Sequence, residues 1–297
     1  MTSYRKAIIY ALLAMLCWST VAAAFKKTLF YLHQNTLLML LYSSAVSCII
    51  LFIVLYKRDR LESLKTSAGK QLFFSAALGM VNPVLYYLVL FKAYAILPGQ
   101  EAQPLNYTWP IVFSVLAVPI LKQRMTRFTW ISLLISFSGV LIIATRGHVQ
   151  KLHFTNIQGV LLAVGSSLLW ALYWIFQLRD KRDAVVKLFY NFLFGFVYIL
   201  TLYFILHSRI EGISLFAWIG CIWIGIFEMG LAFIFWLRAI EYAPNVSSVG
   251  HIVYLSPFIS LIFLAVIVGE AIHVSSVIGL ILIIGGILLQ RKSQPEL

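Results

Sequence analysis

Long apolar runs, each near 20 residues, alternate along the chain with short polar or basic stretches. A bilayer-spanning helix needs about 20 mostly apolar residues. The runs predict ten such helices, at 7–25, 37–56, 71–95, 100–121, 127–145, 157–177, 185–206, 215–237, 246–268 and 273–290. The run that follows Arg5 and Lys6 reads as a first span rather than a cleavable leader. All connections are short, which leaves no room for a soluble domain.

The basic residues orient these spans. If the loops alternate sides, one side collects Arg5 and Lys6, the loops 57–70, 122–127 and 179–187, Arg238, and Arg291 with Lys292. That is 17 of the 23 Lys and Arg residues. The other side holds Lys26, Lys27, Arg146, Lys151 and Arg209, and Lys92 falls inside a span. Basic residues concentrate in short cytoplasmic loops, so both termini are expected in the cytoplasm. Composition agrees: 62% of residues are apolar, 11% are charged, and mean hydropathy is +0.93. A soluble domain carries roughly a quarter charged residues. The net charge of +13 therefore belongs to loops beside anionic lipid, not to a nucleic-acid surface. Cys17, Cys48 and Cys221 all lie in apolar runs and read as small buried hydrophobes, with neither a disulfide framework nor a metal site.

The chain also resembles itself. "LLAMLCWS" lies over "AVGSSLLWA", which pairs Trp18 with Trp170. "FKAYAILPG" lies over "WLRAIEYAPN", pairing Lys92 with Arg238 and Pro98 with Pro244; with one residue inserted, Tyr107 and Pro110 fall on Tyr254 and Pro257. "SGVLII" matches "GGILLQ". The halves, 1–147 and 148–297, hold five spans each. Five is odd, so the second half enters the membrane inverted, an architecture that secondary transporters use.

Within this frame the segment "EAQPLNYTWPI", Glu101 to Ile111, is unusual, being polar and twice interrupted by proline inside a span. Freed backbone carbonyls at membrane depth are tolerated only against protein or a wet cavity. Pro104, Pro110 and Pro257 are therefore hinge candidates. Asn106 and Tyr107 offer hydrogen bonds, and Trp109 offers a face for stacking or cation–π contact. Glu228 stands near the middle of its span and aligns with Asn82 in the other half; intramembrane ionisable groups usually face a cavity or a partner. Glu228 can hold a substrate ammonium or a coupling proton. Glu101 complements a helix dipole or contributes to the site. His251, a potential proton acceptor, has Tyr254 three residues on along the same helix face. Trp18, Tyr86, Trp170 and Tyr173 are candidates for an aromatic wall.

These features together resemble the drug/metabolite transporter superfamily, specifically its ten-helix EamA-domain members. The resemblance spans nearly the whole chain. It is carried by Trp18 and Trp170, the A-x-x-x-x-P spacing of Ala93–Pro98 and Ala239–Pro244, Pro110 and Pro257, the pair Gly269–Glu270, and Gly139 and Gly286. Gln123 stands where many members carry a first-half acid. "NYTWP", Asn106 to Pro110, is similar to the "NYLWP" of bacterial aromatic amino-acid exporters. The resemblance implies a basket of helices around a central cavity, with the fifth and tenth helices packed together outside it. The spacing of Ser132/Ser136 and Ser275/Gly279 permits that close approach.

The expected function is a cofactor-free secondary exporter of small amphipathic metabolites, aromatic or hydrophobic amino acids first, in a bacterial inner membrane. Protons are the candidate coupling ion, and the protein would act as a monomer or homodimer. An organic-cation exporter and a flippase for lipid-linked head groups are the transport alternatives. An intramembrane enzyme is disfavoured: there is no HExxH, no paired intramembrane Asp motif and no nucleophile partner for His251.

Overall fold

A computed structural model of the chain describes residues 3–58, 60–65, 67, 69–121, 127–151, 155–177, 179–207, 212–243, 249 and 252–291. Its main helices are α1 (Ser3–Tyr31), α2 (Thr36–Lys57), α3 (Lys70–Ile96), α4 (Gly99–Asn106 and Trp109–Leu121) and α5 (Arg127–Ala144). The second half contributes α6 (Ile157–Gln177), α7 (Ala184–Leu206), α8 (Leu215–Tyr242), α9 (Ser256–Val268) and α10 (Val274–Arg291). Six of them, α1, α2, α3, α6, α7 and α8, are each long and apolar enough to cross a membrane. The apolar parts of α5, α9 and α10 are shorter, and α4 is broken in two. Large apolar side chains such as Phe73, Leu134, Ile205 and Val266 stand exposed on the outside, as a hydrocarbon solvent allows.

Helix boundaries follow local chemistry. Asn35 caps α2 by accepting from Leu38 N (3.0 Å), Asp183 caps α7 and Ser214 caps α8, each satisfying amides that a helix start leaves open. Two helices outrun their expected ends. α1 continues to Tyr31, and within this extension Lys26 Nζ reaches the carbonyls of Tyr94 and Leu97, each at 3.0 Å. α8 continues to Tyr242, where Arg238 and Glu241 pair at 2.9 Å one turn apart.

The two halves are interlocked. α1 packs on α8 and α9, while α6 packs on α3 and α4; α2 meets α7 and α8, as α7 meets α2 and α3. Exchanging the halves maps this contact pattern onto itself. The first helix of each half is thus a core element of the other. α5 packs along α10, outside this core. Cβ atoms built on Gly139 and Gly279 would strike the facing backbone, and one on Gly286 would meet Ser132 O and Ser136 Oγ. Ser136 Oγ also donates to Ile283 O at 3.2 Å. Gly286→Leu is expected to separate these helices and to cost about 1–3 kcal/mol by overpacking. A lowered midpoint of thermal unfolding in detergent would register it.

The interruptions are distributed differently from the expected hinges. Pro104 lies within the first segment of α4, and Pro110 is the second residue of the next segment. Pro257 sits in the first turn of α9, where proline is tolerated. The break in α4 falls between them, at Tyr107 and Thr108. A further break lies in α3, where Asn82 is extended (φ −143°, ψ 117°) ahead of Pro83. α3 is thus kinked within Met80–Leu85, while α8 carries a π-helical turn at Ile224–Leu231, a feature often found at functional sites. Gln123 and Pro244 lie outside the described residues.

Candidate functional site

The two mid-span irregularities converge on a buried polar cluster. The π turn of α8 presents Glu228, whose Oε1 accepts a hydrogen bond from Tyr87 Oη at 3.0 Å. Among the described residues its Oε2 has no hydrogen-bond partner. Among the described residues, ion pairs form between Arg146 and Glu101, Arg182 and Asp180, and Arg238 and Glu241, and none involves Glu228. Beside it, Tyr86 Oη donates to Asn106 Oδ1 (3.4 Å), and Asn106 Nδ2 donates to Ser166 Oγ (2.8 Å). Asn106 ends the first segment of α4, so the break in that helix delivers its amide to α6.

A second polar group adjoins the first. The Tyr173 oxygen accepts from Gln177 Nε2 (2.6 Å) and Asn191 Nδ2 (3.1 Å). Its hydroxyl also faces the Asn82 amide, which acts on it as a hydrogen-bonding neighbour. An aromatic ladder links the two groups: Tyr86 lies 4.6 Å from Trp170, and Trp170 lies 6.0 Å from Tyr173, centroid to centroid. Phe233 extends it, 5.5 Å from Trp170 and 6.4 Å from Trp18. Buried polar groups are normally hydrogen-bonded. Glu228 Oε2, without a partner among the described residues, therefore marks a place where a ligand's polar group can bind.

The structure gathers Asn82, Tyr86, Asn106, Trp170, Tyr173 and Glu228 into this cluster, with Trp18 joined through Phe233. Tyr107 flanks it, buried, with its hydroxyl toward Ser256 of α9. Trp109 and Tyr254 are half-buried against the surrounding apolar core. Glu101 is placed elsewhere, near the end of the bundle remote from Arg58 and Arg238. There it is fully buried and accepts from Arg146 Nε at 2.8 Å, with Thr155 Oγ1 at 3.5 Å. That ion pair accounts for its charge. His251 lies outside the described residues. Sequence reasoning missed Tyr87, Ser166 and Phe233. Tyr87 was legible as the neighbour of Tyr86; Ser166 and Phe233 are ordinary residues of apolar spans.

Glu270 also closes that remote end. Gly269, at φ +81°, ends α9 in the left-handed region that glycine adopts freely. The turn brings the Glu270 carboxylate to the start of α4, where it accepts from Gly99 N (2.8 Å) and Gln100 N (3.2 Å). Gln100 in turn donates to Ala271 O and accepts from His273 N and Ser276 Oγ. This clasp ties α4 to α9 and α10.

A sequence model described as the EamA-like transporter family matches residues 5–145 and again 157–291. The chain belongs to this family. It is a multi-pass membrane transporter, not an enzyme. An uncharacterized transporter of Clostridium kluyveri is 24% identical over 297 residues, spanning 98% of this chain and 95% of that protein. The uncharacterized transporter YvbV of Bacillus subtilis is 23% identical over 254 residues, covering 83% of this chain and 80% of YvbV. YyaM of the same organism is 26% identical over 184 residues, covering 60% of each chain. A solved crystal structure superposes with a TM-score of 0.68 at 19% identity, over 97% of this chain and 99% of that one. That likeness concerns the fold alone.

Proposed function

We propose that this transporter exports small amphipathic zwitterions, aromatic or hydrophobic amino acids foremost, across a bacterial inner membrane by alternating access of its two halves, 1–147 and 148–297. The basic end, with both termini, faces the cytoplasm; the concentration of Lys and Arg there supports this. The observation that carries the reading is Glu228: a buried carboxylate with one free oxygen, beside the Tyr86–Trp170–Tyr173 ladder. A substrate ammonium would take that oxygen. The aromatic ladder would hold the side chain, and the Asn106 and Asn82 amides would reach the carboxylate. In the empty site a proton on Glu228 would balance the charge that the ammonium otherwise balances, which supports proton exchange as the coupling. Solute counterflow in proteoliposomes with labelled Phe, Tyr and Trp tests this. Saturable exchange supports it, whereas exchange of an organic cation alone would reassign the site to cations.

The clasp at Glu270 would be the outer gate. Ala102, fully buried one turn into α4, reports on it as a cysteine in a chain whose three native cysteines are replaced. In Glu270→Ala the impermeant labelling of Ala102→Cys from the outside is expected to rise roughly tenfold, since two charge-assisted hydrogen bonds are lost. Unchanged labelling would show that the clasp does not gate.

A further inference from the structure

A cavity of about 370 Å³ opens at the basic end, between the residues just after α2, the start of α7 and the last turns of α8. Three guanidinium groups line it: Arg58, Arg60 and Arg238. Among the described residues two carboxylates line it, and both already have partners. Asp183 Oδ1 accepts from Val185 N (2.9 Å) and Val186 N (3.2 Å) as the cap of α7, and Glu241 pairs with Arg238 at 2.9 Å. Arg58 and Arg60, among the described residues, take part in no ion pair. Burial, and after it the like charge of Arg238, disfavours the Arg58 cation, which Asp183 and Glu241 offset only in part. Among the described residues the lining thus sets three arginines against two carboxylates, one capping a helix and the other paired with Arg238; Asp59, between Arg58 and Arg60 in the chain, lies outside the described residues.

Its floor is apolar. Ile234 and Leu237 of α8 close the inner side. Ile234 directly follows Phe233, whose ring belongs to the aromatic ladder of the central cluster. A molecule seated here with its charge on the arginines would place an apolar body against the wall separating vestibule from central site. A bare inorganic anion would leave that floor unused, and an amphipathic cation would meet the wrong charge.

We propose that this vestibule is a recruitment site for amphipathic carboxylates, the carboxylate held by Arg58 and Arg60 and the apolar body resting on Ile234 and Leu237. The inference deepens the proposed function, and its role in recruitment rests on the central cluster being the transport site. Planar guanidinium groups suit carboxylate oxygens, and the attraction falls with added salt.

The test is equilibrium binding of labelled 3-phenylpropionate to the purified full-length protein in detergent, with phenethylamine as the cationic counterpart. The proposal expects saturable, salt-sensitive binding of 3-phenylpropionate that weakens roughly tenfold or more in the doubly substituted Arg58→Gln, Arg60→Gln protein. Phenethylamine binding should not change. The Arg58→Lys, Arg60→Lys protein should retain most of the affinity, which separates lost charge from a damaged fold; an unchanged thermal midpoint checks the Gln protein. Counterflow of labelled Phe is measured on the same Gln protein, so loss of amino-acid counterflow and loss of vestibule binding are separate results. Equal affinity in the native and Gln proteins, or no saturable binding, would overturn the proposal. So would binding of a short-chain phosphatidylglycerol through these arginines without binding of 3-phenylpropionate, which would make the vestibule a lipid head-group site.

Discussion

Glu228→Gln is expected to reduce counterflow of aromatic amino acids by roughly thirtyfold or more, because truncating one partner of a buried charge pair costs about 2–5 kcal/mol. The substitution keeps the shape and the hydrogen bond from Tyr87, but removes the negative charge offered to the ammonium and the site for an exchanging proton. Folding should survive, since a carboxyl with an unpartnered oxygen is replaced by a neutral amide of the same size. The thermal midpoint is therefore expected to hold or rise while transport falls. Tyr87→Phe should have a smaller effect, about 1 kcal/mol for one neutral hydrogen bond. Native rates in Glu228→Gln would remove this residue from the site, and equal losses of transport and stability would make it a structural residue.

The sequence exposes Glu228 and Asn82 because polar residues at bilayer depth are rare and conspicuous. The number of spans follows from apolar runs of the right length, and their repeat from Trp18 over Trp170. Phe233 is hidden for the opposite reason. It is one of 22 phenylalanines, and a helix that is apolar all round carries no polar face to show which side turns inward. Tyr86 and Tyr87 should point about 100° apart on a regular helix. Here Tyr86 reaches Asn106 while Tyr87 reaches Glu228, just beyond the break at Asn82. The interlocking of the halves is a long-range property that no local pattern encodes. Glu101, which the sequence left open between helix-dipole partner and site residue, is met by Arg146, 45 residues on, a pairing that no local pattern announces.

Asp180→Asn is expected to destabilise the protein by about 3–5 kcal/mol, the range for removing one member of a buried ion pair. Asp180 and Arg182 are both largely buried side chains, 6% and 9% exposed, and they meet at 2.6 Å. Asp180 also accepts from Arg182 N and Nε. The same guanidinium reaches across to α3, donating to Ser75 Oγ at 2.5 Å. Without the carboxylate, Arg182 would keep a buried charge with only the Ser67 and Ser75 hydroxyls and the face of the Tyr190 ring to answer it. Burial pushes the Asp180 carboxyl up, but the hydrogen bonds and charge of Arg182 more than reverse this and hold it below the usual range. A depressed folded-state value means that the stabilisation is full above the unfolded carboxylate range, near about 3.9, and drains away as pH falls through the lower folded value. Unfolding midpoints should therefore separate the native and Asp180→Asn proteins at pH 7 and converge under strong acid. Parallel pH profiles would show that the pair contributes nothing. The lock matters beyond stability because of what it joins. It ties the loop between α6 and α7 to the start of α3, and these three helices carry Tyr173, Asn191, Asn82 and Tyr86. One wall of the candidate site is thereby fastened as a unit at the basic end, leaving Glu228 on α8 as the group against which that wall can move.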